Sequence, residues 1–582
     1  MDTIFSLENE SFKLRLNGDL SAHNFVPKTR KIELSACRNS TAAFQVIFQS
    51  DSPTAVNLGT QGWFSEIGDM NNIRLEHSGV LSASMNHIDI IKDDKGVYYA
   101  DALLGQKVVQ VKADIPHAVY VELSVPSDLP AAKYSGSIKI YTSQLFDDEE
   151  LLGEAKYSLK VYEPVLPDLK DGSFYLDLWQ HNSNIARKAE VELWSDRHFE
   201  IIEQYVKTLS DIGQRSITAV VSEIPWCGQR CFLDKETPAN MFEYSMVTVE
   251  KQNSDFVYDF SVLDRYIELC LSYGIDKEIE VFGLLNNWQS VSDGYYNYTN
   301  YSDILRIRYR DTDGAYKYMR RVKDIEDYIK AIHSHFIEKG WIDIARVAAD
   351  EPWELEIFKV NFERIRKLAP KFQYKVAMGK YEFYDNFKTT ISDFAPSLCG
   401  FLNQKEKFEV AVKENKDVRF LWYICCDPDA PNTYIKSGLL EIRYVAVLTH
   451  FFGLQGLLRW SYNIWPEKPR EEIRYSMYPA GDTNFVYPSG DMSPLLTLRY
   501  KALKRAIEDF ELLEMLKSKG KDKAVNEAYD SVITNRDFKT FYESQENKIT
   551  YDKLSSLQYS GWEKMREGLY KALNNINTES EN

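Results

Sequence analysis

Asp350 and Glu351 are adjacent carboxylic acids, followed at once by Pro352 and Trp353 and preceded by the mostly apolar run Ala345-Arg346-Val347-Ala348-Ala349. Two acids at the mouth of a short buried strand suit the cleavage of a glycosidic bond, where one group donates a proton and another steadies developing positive charge. Proline disfavours helical geometry in the residue before it, so Glu351 is expected to stay extended at the strand mouth. The competing reading makes the pair the start of the helix suggested by Glu354-Leu355-Glu356-Ile357-Phe358, because acids are favoured near helix starts.

Aromatic and polar residues gather at comparable positions elsewhere. They occur as Trp179-Gln180-His181-Asn182, Glu223-Ile224-Pro225-Trp226, Asn286-Asn287-Trp288-Gln289, Trp422-Tyr423 and Trp460-Ser461-Tyr462-Asn463-Ile464-Trp465. Of the eleven Trp, those at 179, 226, 288, 353, 422, 460 and 465 lie in or just after an expected strand end. Core packing alone would scatter them over helix-facing positions too. Flat aromatic faces pack against the apolar faces of sugar rings, and Asn, His and Asp hydrogen-bond hydroxyls. An apolar pocket with a few placed polar groups is the usual form of a small-ligand site. Trp179, His181, Trp226, Trp288, Tyr423, Trp460, Asn463, Trp465 and Asp482 are the candidate ligand-binding residues. For His181 the alternative is a structural role holding its loop, and for Asp482 the ordering of its own turn.

These groups need a scaffold that brings strand ends together. From about residue 170 the pattern alternates strand and helix, with strands expected at 173–179, 216–221, 278–284, 345–350, 374–379, 398–403, 418–425 and 456–463. Most are short and largely apolar, as strands covered on both faces should be. Gly213, Gly274 and Gly340 each stand where a helix should stop before a strand. Eight such units over roughly 330 residues predict a (β/α)8 TIM-type barrel with its active site at the C-terminal strand ends. Residues 1–165 read instead as strands, with clear alternation in Ala118–Val125 and Gly136–Tyr141, and predict a β-sandwich. Pro164 and Pro167 mark a stiff linker. The expected domains are a sandwich at 1–165, a barrel at 170–518 and a helical C-terminal extension at 519–582.

Composition narrows the function classes. The 582 residues carry 70 basic against 87 acidic side chains, a net charge of -17, so nucleic acid and anionic membrane are not expected partners. No run of apolar residues is long enough to span a membrane. The N-terminus shows no secretory signal, which predicts a cytoplasmic protein acting on short imported oligosaccharides. The seven cysteines are odd in number and scattered, which is no disulfide framework. Cys227 with Cys231, and Cys425 with Cys426, fall short of a zinc pattern, so neither a metal nor another cofactor is expected.

An ordered series of segments resembles glycoside hydrolase family 123, the retaining β-N-acetylgalactosaminidases. The segments are LDLWQH (176–181), GQRSIT (213–218), YDFSVLDRYIELCLSYGID (258–276), ADEP (349–352), WYICC (422–426), PNT (431–433), GLLRWSYNIW (456–465) and YPAGDTNFVYP (478–488). The resemblance implies a β-sandwich before the barrel and substrate-assisted catalysis, in which the substrate's own acetamido carbonyl attacks the anomeric carbon to give an oxazolinium ion. It assigns Asp350 to orient the acetamido group and Glu351 to act as general acid and then base. A flanking Trp353 and an Asp350 anion should favour the protonated form of Glu351. Tyr423 becomes the candidate donor to the acetamido carbonyl. The implied substrate is a glycan or glycolipid oligosaccharide with terminal β-GalNAc, the galacto preference being inherited from the family. Asn182 stands where the family's pattern has proline, which should loosen the loop around His181. Two other readings remain open: a β-hexosaminidase of other or mixed GlcNAc/GalNAc preference, and a non-catalytic carbohydrate-binding barrel. Oligomeric state is not legible.

Overall fold

A computed structural model describes residues 1–59, 71–145, 147–223, 242–286, 305–471, 473, 478–538 and 554–579. The N-terminal strands form two six-stranded sheets. One runs in the order Thr3–Asn9, Ser40–Ser50, His117–Val125, Ala83–Lys92, Tyr98–Leu104 and Arg15–Leu16. The other runs Lys31–Arg38, Glu150–Val165, Lys133–Gln144, Asn71–Gly79, Thr54–Leu58 and Val108–Val111. Along His117–Val125, Val119, Val121, Leu123 and Val125 point into the sandwich core, whereas Ala118 and Tyr120 join the larger core of the rest of the chain. Alternation on this strand thus sorts two buried faces over residues 118–121, and the second face becomes wet only at its end, where Glu122 is half-buried and Ser124 exposed.

The barrel is a nearly closed sheet of eight parallel strands: Tyr175–Leu178, Ser216–Val220, Glu278–Phe282, Ala345–Asp350, Gln373–Met378, Asp393–Pro396, Arg419–Tyr423 and Gly456–Arg459. We number them one to eight. Between strands one and two the backbone contact is an isolated bridge, Leu176 with Gln214 just before strand two. Side chains stitch the rest of that seam. The Leu178 N–H donates to Gln214 Oε1 at 2.9 Å, Gln214 Nε2 donates back to the Leu178 carbonyl at 3.1 Å, and the Thr218 N–H donates to Gln180 Oε1 at 3.1 Å. Buried backbone groups left without a strand partner are satisfied this way.

Strand six differs from the expectation. Residues 398–403 form a helix, and the strand is Asp393–Pro396 just before it. Ser397 caps the helix by accepting the Gly400 N–H, and Leu398, Phe401 and Leu402 face the core at helical spacing. The expected helix stops are present: Gly213, Gly274 and Gly340 all have left-handed φ, at 84°, 80° and 73°.

The barrel interior is layered in an unexpected way. At its N-terminal end the inward positions are charged and buried. Lys375 on strand five pairs with Asp177 on strand one, and with Glu278 at 3.1 Å and Glu280 at 2.7 Å on strand three. Arg419 pairs with Glu278 and Asp393, and Arg346 reaches Asp393 at 3.0 Å. Burial, and next the neighbouring Asp177, push the Glu280 carboxyl well above the usual carboxylate range, against the lowering effect of Lys375. Above this layer lie Trp179, Val220, Phe282, Ala348, Ala377, Ala395, Leu421, Tyr423 and Leu458. The alanines on strands four, five and six leave space beneath the strand mouths that larger residues would fill.

The helix Leu498–Lys517 joins the parts. Arg499 pairs with Asp101 of the sandwich at 2.9 Å, and Arg505 pairs with Glu10 at 2.9 Å. Arg566 of the C-terminal helix Tyr559–Glu579 reaches Asp509 at 3.1 Å. Among the described residues no helix is long and apolar enough to cross a membrane.

Candidate active site

A pocket opens at the C-terminal mouth of the barrel, with about 480 Å³ of empty space that is partly open to solvent. Asp350 at the end of strand four and Glu351 just after it, Tyr423 of strand seven, and Trp179 and Trp460 after strands one and eight line it, with Tyr478, Cys425 and Cys426 at the wall and Ala377 and Leu458 at the base. Period-two alternation explains the inward residues: Ala348 and Asp350, Lys375 and Ala377, Leu421 and Tyr423 share the inner face of their strands.

Glu351 breaks that alternation. It is not extended: its φ is +43°. For a non-glycine residue this left-handed geometry costs roughly 1–2 kcal/mol. The fold imposes it, since the Glu351 N–H still continues the ladder by donating to the Ala377 carbonyl at 3.0 Å. In a regular strand, neighbouring side chains point to opposite faces. The left-handed turn brings both carboxyls to one pocket instead. The helix that follows begins at Leu355 with Glu354 as its N-cap, so neither acid serves as a helix cap.

Tyr423 donates its hydroxyl hydrogen to Glu351 Oε1. Burial and the adjacent Glu351 carboxyl push its phenol well above the usual range, so it remains a donor. Trp179 packs edge-on against Phe282 with centroids 4.8 Å apart. Trp460 leans on Tyr478 at 5.0 Å, and its indole N–H donates to Asp482 Oδ2 at 3.4 Å. Asp482 is fully buried and also accepts from Arg459 at 2.7 Å. Burial raises its pKa, against the lowering effect of Arg459. It stands behind Trp460 and fixes that wall.

Three other candidates lie off the pocket lining. His181 is buried, its Nε2 contacts the Trp460 carbonyl at 2.9 Å, and its backbone exchanges hydrogen bonds with the Asn463 side chain. Desolvation pulls the imidazole down to about 3, so it is neutral at ordinary pH. Asn182 needs no proline to hold its loop, because its carbonyl meets His198 Nε2 at 2.9 Å. Trp465 is a core residue whose indole donates to the Val486 carbonyl at 2.7 Å. Trp226 and Trp288 lie outside the described residues. Tyr478, Cys425 and Cys426 were not singled out as ligand-facing from the sequence. Their signal was only their place in segments that follow strands seven and eight. Among the described residues no cluster of three or more His, Cys, Asp or Glu could hold a metal ion.

The family model for the glycoside hydrolase 123 catalytic domain matches residues 179–516, more than half of the chain. In structure the chain is similar to a family 123 glycoside hydrolase from Clostridium perfringens studied for glycolipid glycan hydrolysis. The two are 18% identical, with a TM-score of 0.75 over 100% of this chain and 99% of that one. A β-D-glucuronidase from Dictyoglomus thermophilum overlaps loosely, at 10% identity and a TM-score of 0.29 over 74% of this chain and 68% of the other, and adds no support. No curated protein matches the chain in sequence.

Proposed function

The chain belongs to glycoside hydrolase family 123, and from that premise we propose that it is a retaining exo-β-N-acetylgalactosaminidase working by substrate-assisted catalysis. One observation supports the mechanism above the others: the acids of two consecutive residues open into a single pocket. Mechanisms with two enzyme carboxylates place them on either side of the sugar, about 5–5.5 Å or 6.5–9.5 Å apart. Neighbours at one strand mouth are suited instead to a reaction in which the nucleophile belongs to the substrate.

In this proposal the sugar ring stacks on Trp460 and Trp179, with its anomeric carbon over the acid pair. Asp350 accepts the acetamido N–H and steadies the positive charge that grows there. The acetamido oxygen attacks the anomeric carbon as the bond to the leaving oxygen breaks, and Glu351 gives that oxygen its proton. Water then adds to the anomeric carbon, returns a proton to Glu351 and reopens the acetamide. Two inversions give retention. Tyr423 donates to Glu351 at rest, and in this reading it turns to the acetamido carbonyl when substrate binds. Glycolipid head groups are one substrate class with such a terminus. The described cysteines are all free thiols, which suits a reducing cytoplasm.

Two measurements test this. Release of 4-nitrophenol is expected from the aryl β-GalNAc glycoside and not from the β-GlcNAc analogue, with inhibition by GalNAc-thiazoline. Equal turnover of both glycosides assigns a mixed hexosaminidase, and binding without turnover of either assigns a sugar-binding barrel. Trp460→Ala is expected to raise KM about fivefold with a smaller change in kcat, because it removes a stacking face worth about 1 kcal/mol. An unchanged KM removes Trp460 from the pocket's function.

A further inference from the structure

Glu351 holds a backbone conformation that its side chain and the following proline both disfavour, so something must clamp the peptide before it. That peptide unit is tied at both ends. Its N–H donates to Ala377 on strand five, as described. Its carbonyl, from Asp350, accepts Asn286 Nδ2 at 3.2 Å. The backbone ladder between strands three and four ends at Phe282 with Ala348. Strand three then turns at Gly283, whose φ is +107° and where a Cβ would meet Ser222 Oγ at 2.0 Å. This turn brings Asn286 up beside strand four, and its side chain reaches the Asp350 carbonyl above the last backbone pair. Asn286 is itself buried and held from behind: Asn361 Nδ2 donates to the Asn286 carbonyl at 2.9 Å. Asn361 belongs to the helix Leu355–Leu368 that directly follows the acid pair. The chain therefore closes a ring from Asp350 through Asn286 and Asn361 back to the segment beginning at Glu351.

We propose that Asn286, backed by Asn361, is a positioning residue that sets the left-handed turn at Glu351 and so brings both carboxyls to the same pocket. An amide suits the place: the carbonyl needs a donor, which an ionised aspartate of the same size cannot supply, and the amide leaves the residue uncharged in a buried place. The inference rests on the reading of Glu351 as the proton donor, yet it makes a separate structural claim.

The tests are the crystal structures and leaving-group profiles of Asn286→Ala and Asn286→Asp, the latter keeping the size of the side chain. In both structures the φ of Glu351 is expected to relax to negative values and its carboxyl to leave the pocket. A φ that stays near its present value overturns the proposal, whatever the enzyme's substrate proves to be. In kinetics, a misplaced acid hurts poor leaving groups most. Turnover of an alkyl or disaccharide β-GalNAc substrate is expected to fall about tenfold more than that of the 2,4-dinitrophenyl glycoside, with KM little changed. A merely structural loss of active enzyme lowers both substrates equally, and that result overturns the positioning role. Wild-type enzyme inactive on every β-GalNAc substrate, with Glu351 nevertheless relaxed in the variants, refutes the proposed activity and leaves the clamp standing.

Discussion

Replacing Glu351 with Gln is expected to lower kcat/KM on a disaccharide substrate by about 10²–10⁴-fold, the usual worth of a positioned acid–base group. Glutamine keeps the size of the side chain and an oxygen that accepts the Tyr423 hydroxyl, so the pocket should keep its shape. What it loses is the transferable proton. The loss should be smaller on 4-nitrophenyl substrates, because nitrophenolate leaves without protonation. It does not vanish there, since the second step still needs a base to take a proton from water. The measurement is a comparison of both substrates in wild type and variant, with the thermal midpoint as a control for folding. Full activity of Glu351→Gln on the disaccharide would sink the assignment. Asp350→Asn should also be slow, by failing to stabilise charge on the acetamido nitrogen, while still protonating the leaving group.

The largest expected effect on stability lies at the other end of the barrel. Lys375→Met removes the ammonium that pairs with Asp177, Glu278 and Glu280, all fully buried. Breaking a buried ion pair by deleting one partner costs about 3–5 kcal/mol, because the remaining charge has no water to turn to. A much lower urea midpoint, or failure to accumulate as folded protein, is the expected result. Glu280→Gln makes the contrasting case. Its carboxyl pKa is raised in the folded state, so its contribution is present at low pH and is lost as pH rises from the unfolded value of 4.5 towards the folded one. Glutamine copies the protonated form and does not ionise when unfolded. The variant should therefore equal or exceed wild type in stability, and its advantage should grow with pH by at most about 1.4 kcal/mol per unit. A destabilised Glu280→Gln at neutral pH would show that this carboxyl is ionised in the fold.

The pattern of residues carried the barrel because buried parallel strands, glycine helix stops and strand-end tryptophans are local signals. It carried the acid pair as well, since Asp350-Glu351-Pro352-Trp353 is contiguous. It failed at 398–403, where a short apolar run fits strand and helix alike and a single serine cap decides. It failed on the conformation of Glu351, because the proline rule is a local preference and the ladder to Ala377 and the bond from Asn286 come from distant segments. Those partners also explain why Asn286 looked like one more polar strand-end residue. Asp482 and His181 drew notice for their type and segment, but only the fold shows them standing behind Trp460. The charged layer was hidden in strands that looked apolar on average, since half of each strand faces inward.

The seam along Leu498–Lys517 has a consequence for how the molecule is made. Synthesis proceeds from the N-terminus, so the sandwich emerges before the barrel, with Glu10 and Asp101 waiting for Arg505 and Arg499 several hundred residues downstream. At about 5–20 residues per second the delay is on the order of tens of seconds. Throughout it, Ala118, Tyr120 and their neighbours present an uncovered apolar sheet face, and two acids destined for burial stay in water. The nascent chain is thus most exposed to misassociation before the barrel is complete. Gene fusions or circular permutations that move the 498–517 helix closer to the sandwich in sequence should shorten that interval.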